Sequence, residues 1–154
     1  MKIIDVFSGG GGLSEGFRIN GFEFICHVEK EPSACLTLKL RNIYYYLKNN
    51  GRLEIYNEYL KDNITLKELL NHIPEDVIED VLNYEINDES ITEIFNYIDK
   101  KIGEGSLDGI IGGPPCQAYS TIGRGKNKHK KETDERIYLY EYYIEFLEKY
   151  KPKF

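Results

Sequence analysis

Residues 2–17 read KIIDVFSGGGGLSEGF, which is an apolar run, four glycines in a row and a short amphipathic segment. A short apolar run predicts a buried strand, and glycines let the backbone turn tightly off that strand and approach a ligand. Gly21 is placed to end the helix that follows. Residues 22–28 then alternate like a second strand, which closes with Glu29. Residues 2–29 therefore predict a β-α-β unit.

The glycine run and Glu29 together indicate a ligand site. The run lacks the third glycine of the dinucleotide fingerprint and the Gly-Lys-Ser/Thr of a P-loop, which disfavours binding of a pyrophosphate or triphosphate. An acidic residue that ends the second strand, roughly twenty residues after the turn, can accept hydrogen bonds from ribose hydroxyls. Taken singly, each feature has a plainer explanation, as a glycine turn or a solvated strand end. Their spacing favours a shared function.

The rest of the chain predicts more helix than strand. A helical pattern starts at Ser33, and amphipathic segments follow near residues 65–83 and 88–102, the first of them broken by Pro74. An alternative interpretation of residues 81–86 is a short strand instead of helix. Residues 107–112 are a clearer strand, and a last helix ends at Lys151-Pro152.

Composition predicts one soluble domain. The chain has 154 residues, 41% of them hydrophobic, with no apolar stretch long enough to span a membrane and no signal-peptide pattern, so we expect a cytoplasmic protein. Three cysteines without a CxxC pair indicate neither a disulfide framework nor a metal site. A net charge of −6 argues against a protein that coats nucleic acid generally.

The most specific motif is GGPPCQAYS at residues 112–120, directly after the predicted strand. A thiol at the carboxyl end of a strand faces the cleft where ligands bind in open α/β sheets. Cysteines are usually buried and structural, but the proline, glycine and glutamine around Cys116 are poor core formers. Cys26 and Cys35 lie in apolar surroundings, and we interpret both as structural.

These three motifs, in this order, resemble the cytosine-C5 DNA methyltransferase family, in the N-terminal part of its catalytic domain. The likeness covers residues 2–41 and 107–154 closely. It implies an α/β, Rossmann-like S-adenosylmethionine-dependent methyltransferase fold, here a truncated doubly wound sheet with a helical insertion at about 42–106. The implied reaction, typical of restriction-modification systems, transfers a methyl group from S-adenosylmethionine to C5 of a cytosine flipped out of double-stranded DNA.

The resemblance also assigns residues. Cys116 is the catalytic nucleophile, which attacks C6 of the cytosine. The acidic residue that contacts the adenine amino group is Glu85 or, alternatively, Asp88. The implied cofactor-binding residues are Phe7, Gly9, Gly11, Gly12, Leu13, Glu29, Lys30, Glu85, Ile86, Pro114 and Leu139. The implied DNA-binding residues are Gln117, Ser120, Arg124, Lys126 and Lys128, of which the last three lie in a basic stretch.

The family pattern continues beyond Phe154 into a strand with Glu-Asn-Val, which this sequence lacks. We therefore expect no target-recognition region within residues 1–154 and no methyl transfer by the chain alone. The expected partners are DNA and the missing C-terminal half or a complementing chain. The Ile110-Ile111 stretch should then lie at an open sheet edge. Two alternatives stay open: a tRNA cytosine-C5 methyltransferase, or a non-catalytic fragment that binds cofactor or a partner.

Overall fold

The computed structural model describes residues 1–114 and 139–154. Four parallel strands form one sheet in the order β3-β2-β1-β4. The strands are β1 (Lys2–Val6), β2 (Glu23–Glu29), β3 (Val81–Asn83) and β4 (Gly109–Gly112). The helices are α1 (Gly12–Ile19), α2 (Pro32–Asn49), α3 (Leu53–Leu60), α4 (Leu66–Leu70), α5 (Asp76–Glu79), α6 (Ile91–Ile102) and α7 (Leu139–Tyr150).

The sheet is covered on both faces, as parallel sheets usually are. On one face, α6 and α7 bury Ile94, Ile98 and Phe146 against Ile4 and Val28 of the two central strands. Because strand side chains alternate, the other face carries the neighbouring residues, and there α2 packs on β3. The predicted α/β class and the β-α-β unit at residues 2–29 are therefore confirmed.

The face beneath α1 and α2 is polar at its centre. Asp5 and His27 are each about 1% exposed. Ser14 of α1 donates a hydrogen bond to the Asp5 carboxylate, and His27 Nδ1 lies 3.4 Å from Asp5 Oδ2. Arg18 donates to Asn42 Oδ1 at 2.7 Å, which ties α1 to α2. Hydrogen bonding thus offsets the cost of burying Asp5, Ser14 and Asn42, whereas the buried Nδ1 of His27 has no hydrogen-bond partner among the described residues.

The region between residues 42 and 106 contains strand as well as helix. The short strand considered at 81–86 is present as β3, and Pro74 separates α4 from α5 as predicted. The segment near 65–83 is thus less helical than its pattern indicated. The sequence analysis did not identify α3.

The expectation of an open edge at Ile110 is wrong. Its backbone N–H donates to the carbonyl of Phe154 at 3.1 Å, and its carbonyl accepts the hydroxyl of Tyr143 at 3.1 Å. The N–H of Lys153 donates to the carbonyl of Asp108 at 2.8 Å. The backbone of residues 153–154 therefore pairs in parallel with the outer side of β4.

No helix within residues 1–114 and 139–154 is both long and apolar enough to cross a membrane.

Candidate functional site

A cleft of about 850 Å³ lies beyond the carboxyl ends of β1 and β2, where ligands bind in open α/β sheets. The loop after β3 and the first turn of α7 form its other walls. Seven of the eleven predicted cofactor-binding residues line it: Phe7, Gly9, Glu29, Lys30, Glu85, Ile86 and Leu139. Residues distant in sequence thus meet in one place.

The loop after β1 has an unusual backbone. Phe7, Gly9 and Gly11 have positive φ angles of 58°, 54° and 80°. Glycine adopts this left-handed region readily, whereas a phenylalanine there is strained, and such strain is concentrated at functional sites. The loop is attached to β2 because the N–H of Ser8 donates to the carbonyl of Val28 at 3.1 Å.

Glu29 joins the loop after β1, residues 7–11 (the glycine loop), to the end of β2. Its Oε2 accepts the backbone N–H of Gly9 at 2.7 Å, and its Oε1 accepts the backbone N–H of Glu31 at 2.8 Å. Each carboxylate oxygen keeps further acceptor capacity. The carboxylate is therefore held in one orientation and can still accept two hydroxyl hydrogen bonds from a ligand.

Both acidic candidates after β3 lie in the cleft. Glu85 forms an ion pair with Lys30 at 3.2 Å, and since both side chains are more than half exposed the pair adds little stability. Asp88 Oδ1 accepts the hydroxyl of Tyr142 at 2.8 Å, and this bond is the main reason why the pKa of Tyr142 is raised. Of the two, Asp88 is the more firmly held.

The cleft is acidic. Among the described residues that line it, five contribute carboxylates and one is a lysine, Lys30; the carboxylates belong to Glu29, Glu85, Asp88, Glu89 and Glu141. Such a lining favours a positively charged ligand and repels a pyrophosphate. Apolar side chains share the cleft, and they suit the flat face of a base: Phe7, Ile86 and Leu139.

Four predicted cofactor-binding residues do not line this cleft: Gly11, Gly12, Leu13 and Pro114. Gly11 faces α2, where an added Cβ would lie 2.7 Å from Leu38 Cδ2. Leu13 is 54% exposed. Pro114 directly follows Gly113, which does line the cleft.

Several residues that line the cleft were not predicted from the sequence. They include Tyr84, Asn87, Glu89, Gly113, Glu141 and Tyr142. Tyr142 has the spacing of a residue on the apolar face of the last helix. That spacing does not indicate the hydrogen bond from its hydroxyl to Asp88. The signal that was available is the position of residues 84–89 directly after a strand parallel to the first two.

The predicted nucleophile Cys116 lies outside the described residues, as do the predicted DNA-binding residues Gln117, Ser120, Arg124, Lys126 and Lys128. Cys26 and Cys35 are both buried, and desolvation raises the pKa of each thiol. A reactive thiol needs a lowered pKa and access to solvent, so neither Cys26 nor Cys35 has the properties of a nucleophile. Among the residues that the structure describes, no three His, Cys, Asp or Glu side chains are grouped to hold a metal ion.

Comparison with known proteins identifies the family of the chain. A family model described as C-5 cytosine-specific DNA methylase matches residues 75–154. The chain is 39% identical to type II methyltransferase M.Bpa9945I of Bacillus paralicheniformis, over 99% of this chain and 39% of that protein. It is 29% identical to type II methyltransferase M.AgeI of Thalassovita gelatinovora, over 99% of this chain and 26% of that protein. The chain thus spans well under half the length of these relatives.

A solved structure has a similar fold. It is described as a DNA modification methyltransferase encoded within a prophage, from E. coli. The alignment has a TM-score of 0.52 and covers 99% of this chain and 30% of that chain, at 24% sequence identity. At this identity the likeness concerns the fold alone, and it supports the predicted Rossmann-like class.

Proposed function

Because the chain belongs to the C-5 cytosine-specific DNA methylase family, we propose that it is the cofactor-binding and nucleophile-bearing part of a DNA (cytosine-5-)-methyltransferase. The relatives are named type II methyltransferases, which favours a restriction-modification role. The observation that carries the proposal is the acidic cleft beyond β1 and β2, which both Glu29 and Gly9 of the glycine loop line. We also propose that the protein acts in the cytoplasm.

The cofactor we propose for this cleft is S-adenosylmethionine, which supplies a methyl group on a positively charged sulfur. The five carboxylates and one lysine of the described lining residues suit that charge. Glu29 is oriented to accept the ribose hydroxyls. Phe7 and Ile86 offer apolar surface for the adenine, and the acceptor for its amino group is Glu85 or Asp88. The residues present therefore fit this cofactor.

The proposed substrate is a cytosine flipped out of double-stranded DNA. Cys116, as a thiolate, would attack C6 of the ring, so that C5 gains the electron density needed to accept a methyl group. Loss of the C5 proton and of the thiolate from C6 would then restore the double bond and free the enzyme. Gln117 and Ser120 would lie close to the base, and the cations at Arg124, Lys126 and Lys128 would bind phosphates. These roles rest on the sequence motif and on membership of the family.

Residues 1–154 are, in this proposal, the N-terminal part of one catalytic domain. The relatives extend well beyond the aligned region, which covers 39% and 26% of their lengths. The groups that read the DNA sequence and complete the active site would lie in the C-terminal half or in a complementing chain.

Methyl transfer tests the proposal. The protein, in the form that its gene encodes, is incubated with S-adenosylmethionine labelled in the methyl group and with either double-stranded DNA or tRNA. We expect label at C5 of cytosine in the DNA. Label in the tRNA alone would select the RNA-modifying alternative. Cofactor binding without transfer to either substrate would select a non-catalytic module.

A further inference from the structure

The glycine loop is held from outside the cleft by α2. Arg41 Nε donates to the carbonyl of Gly10 at 2.9 Å, and Arg41 Nη1 donates to Glu15 Oε2 at 2.9 Å. Thirty-one residues separate Arg41 from Gly10. One guanidinium therefore joins α2, the glycine loop and the first helix.

Packing at the next residue continues this attachment. Gly11 has a φ of 80°, and an added Cβ would lie 2.7 Å from Leu38 Cδ2 and 3.4 Å from Arg41 Cδ. Leu38 is buried. Three successive residues are thus held from three directions: Gly9 by Glu29, Gly10 by Arg41 and Gly11 by Leu38.

The guanidinium is itself held in place. Glu15 accepts Arg41 with one carboxylate oxygen and the hydroxyl of Tyr45 with the other. Arg41 and Glu15 are partly exposed, so water screens the pair and its contribution to stability is small. Neither residue lines the cleft, and Tyr45 does not line it either. A role in ligand binding would therefore be indirect.

We infer that Arg41 is a positioning residue, which keeps the glycine loop in the shape that receives the cofactor. This rests on the proposed function. A run of four glycines has many accessible backbone conformations, and fixing them on binding costs entropy. A loop that is already fixed avoids that cost and binds its ligand more tightly. Loss of the Arg41 contact to Gly10 should weaken cofactor binding roughly 3- to 10-fold, in line with one hydrogen bond.

The test uses Arg41→Met, which keeps the length of the side chain and removes its donors. Arg52→Met is the matched control, because Arg52 lies before α3 and its Nη2 is 3.3 Å from the ring of His72, away from the loop. Two quantities are measured on the protein as its gene encodes it. They are amide hydrogen exchange over residues 9–12 without ligand, and the Kd for S-adenosylmethionine by calorimetry well below the Tm.

We expect Arg41→Met to speed exchange in residues 9–12 and to raise the Kd, while Arg52→Met changes neither. Glu15→Gln should also speed exchange and raise the Kd. In the double variant the two effects should add to less than their sum, because both substitutions break the same hydrogen-bond network. Unchanged loop exchange, or faster exchange with an unchanged Kd, would overturn the role of Arg41. A wild-type protein that binds no S-adenosylmethionine would instead refute the proposed function, and the positioning role with it.

Discussion

Replacing Glu29 by alanine should weaken binding of S-adenosylmethionine by one to several factors of ten. The carboxylate is held by two backbone N–H groups at 2.7 and 2.8 Å, an orientation that leaves one acceptor position on each oxygen for a ribose hydroxyl. A hydrogen bond to a charged group contributes about 1.5–3 kcal/mol, and each 1.4 kcal/mol is a factor of about ten in Kd. Loss of one ribose bond therefore gives at least about a tenfold effect.

A matched control separates this contact from the general charge of the cleft. Glu31→Ala removes the same charge two residues away, from an exposed side chain that makes no capping hydrogen bond to α2. The backbone N–H of Glu31 still donates to Glu29 in this variant. We expect Glu31→Ala to bind the cofactor as the wild type does, within about twofold.

Calorimetric titration at fixed ionic strength, with circular dichroism to verify folding, measures both variants. If folded Glu29→Ala protein binds as tightly as the wild type, the Glu29 carboxylate contributes only to the local structure and the ribose contact is refuted. If the two variants lose affinity equally, the effect is long-range electrostatics and the ribose contact is refuted.

Two further predictions concern the nucleophile and acid stability. The protein as its gene encodes it should form a denaturant-resistant complex with DNA containing 5-fluorocytosine, because fluorine blocks the elimination that frees the enzyme. Cys116→Ser should abolish this trapping. Cys35→Ser is the control and should not, because a serine hydroxyl can replace the hydrogen bond that the Cys35 thiol donates to the backbone carbonyl of Glu29. Hydrogen bonds from the ammonium of Lys153 and the backbone N–H of Lys2 lower the pKa of Asp108 below its usual 3.8. The contribution of Asp108 to the free energy of unfolding is therefore fully present above pH 3.8, and it is lost as the pH falls through the lowered pKa. In urea titrations at a series of acidic pH values, Lys153→Met should lose less free energy of unfolding than the wild type as the pH falls. The same pH dependence in both proteins would contradict the role of Lys153.

The sequence predicted the cleft because its motifs lie at strand ends. Glu29 follows β2 and Glu85 follows β3, and the carboxyl ends of parallel strands meet at one edge of the sheet. Only the local pattern and the strand direction are needed for that inference. Phe7 and Leu139, which the family resemblance rather than the strand pattern assigned to the cofactor, also line this cleft.

Contacts between helices and loops were not predictable in the same way. Arg41 reaches Gly10 because α2 turns one side towards the loop, a packing detail that no local pattern encodes. The same packing explains why Gly11 faces Leu38 rather than the cleft. Tyr142 has the spacing of a core residue, and only the tertiary structure places its hydroxyl on Asp88.

The edge of β4 carries the last prediction. The ring centroid of Phe154 lies 6.4 Å from that of Phe17, in a stacked arrangement, and 5.9 Å from that of Phe22, edge to face, and the residue as a whole is 46% exposed. Its backbone already pairs in parallel with β4, so a following segment would join the sheet without rearrangement. The outer edge of the sheet thus passes from β4 to residues 153–154, and a protein limited to residues 1–154 should self-associate or precipitate at this new edge. It should also transfer no methyl group. Phe154→Ala should lessen the association. Size-exclusion chromatography with light scattering, run beside a methylation assay, decides the matter: a stable monomer that methylates DNA would contradict both expectations.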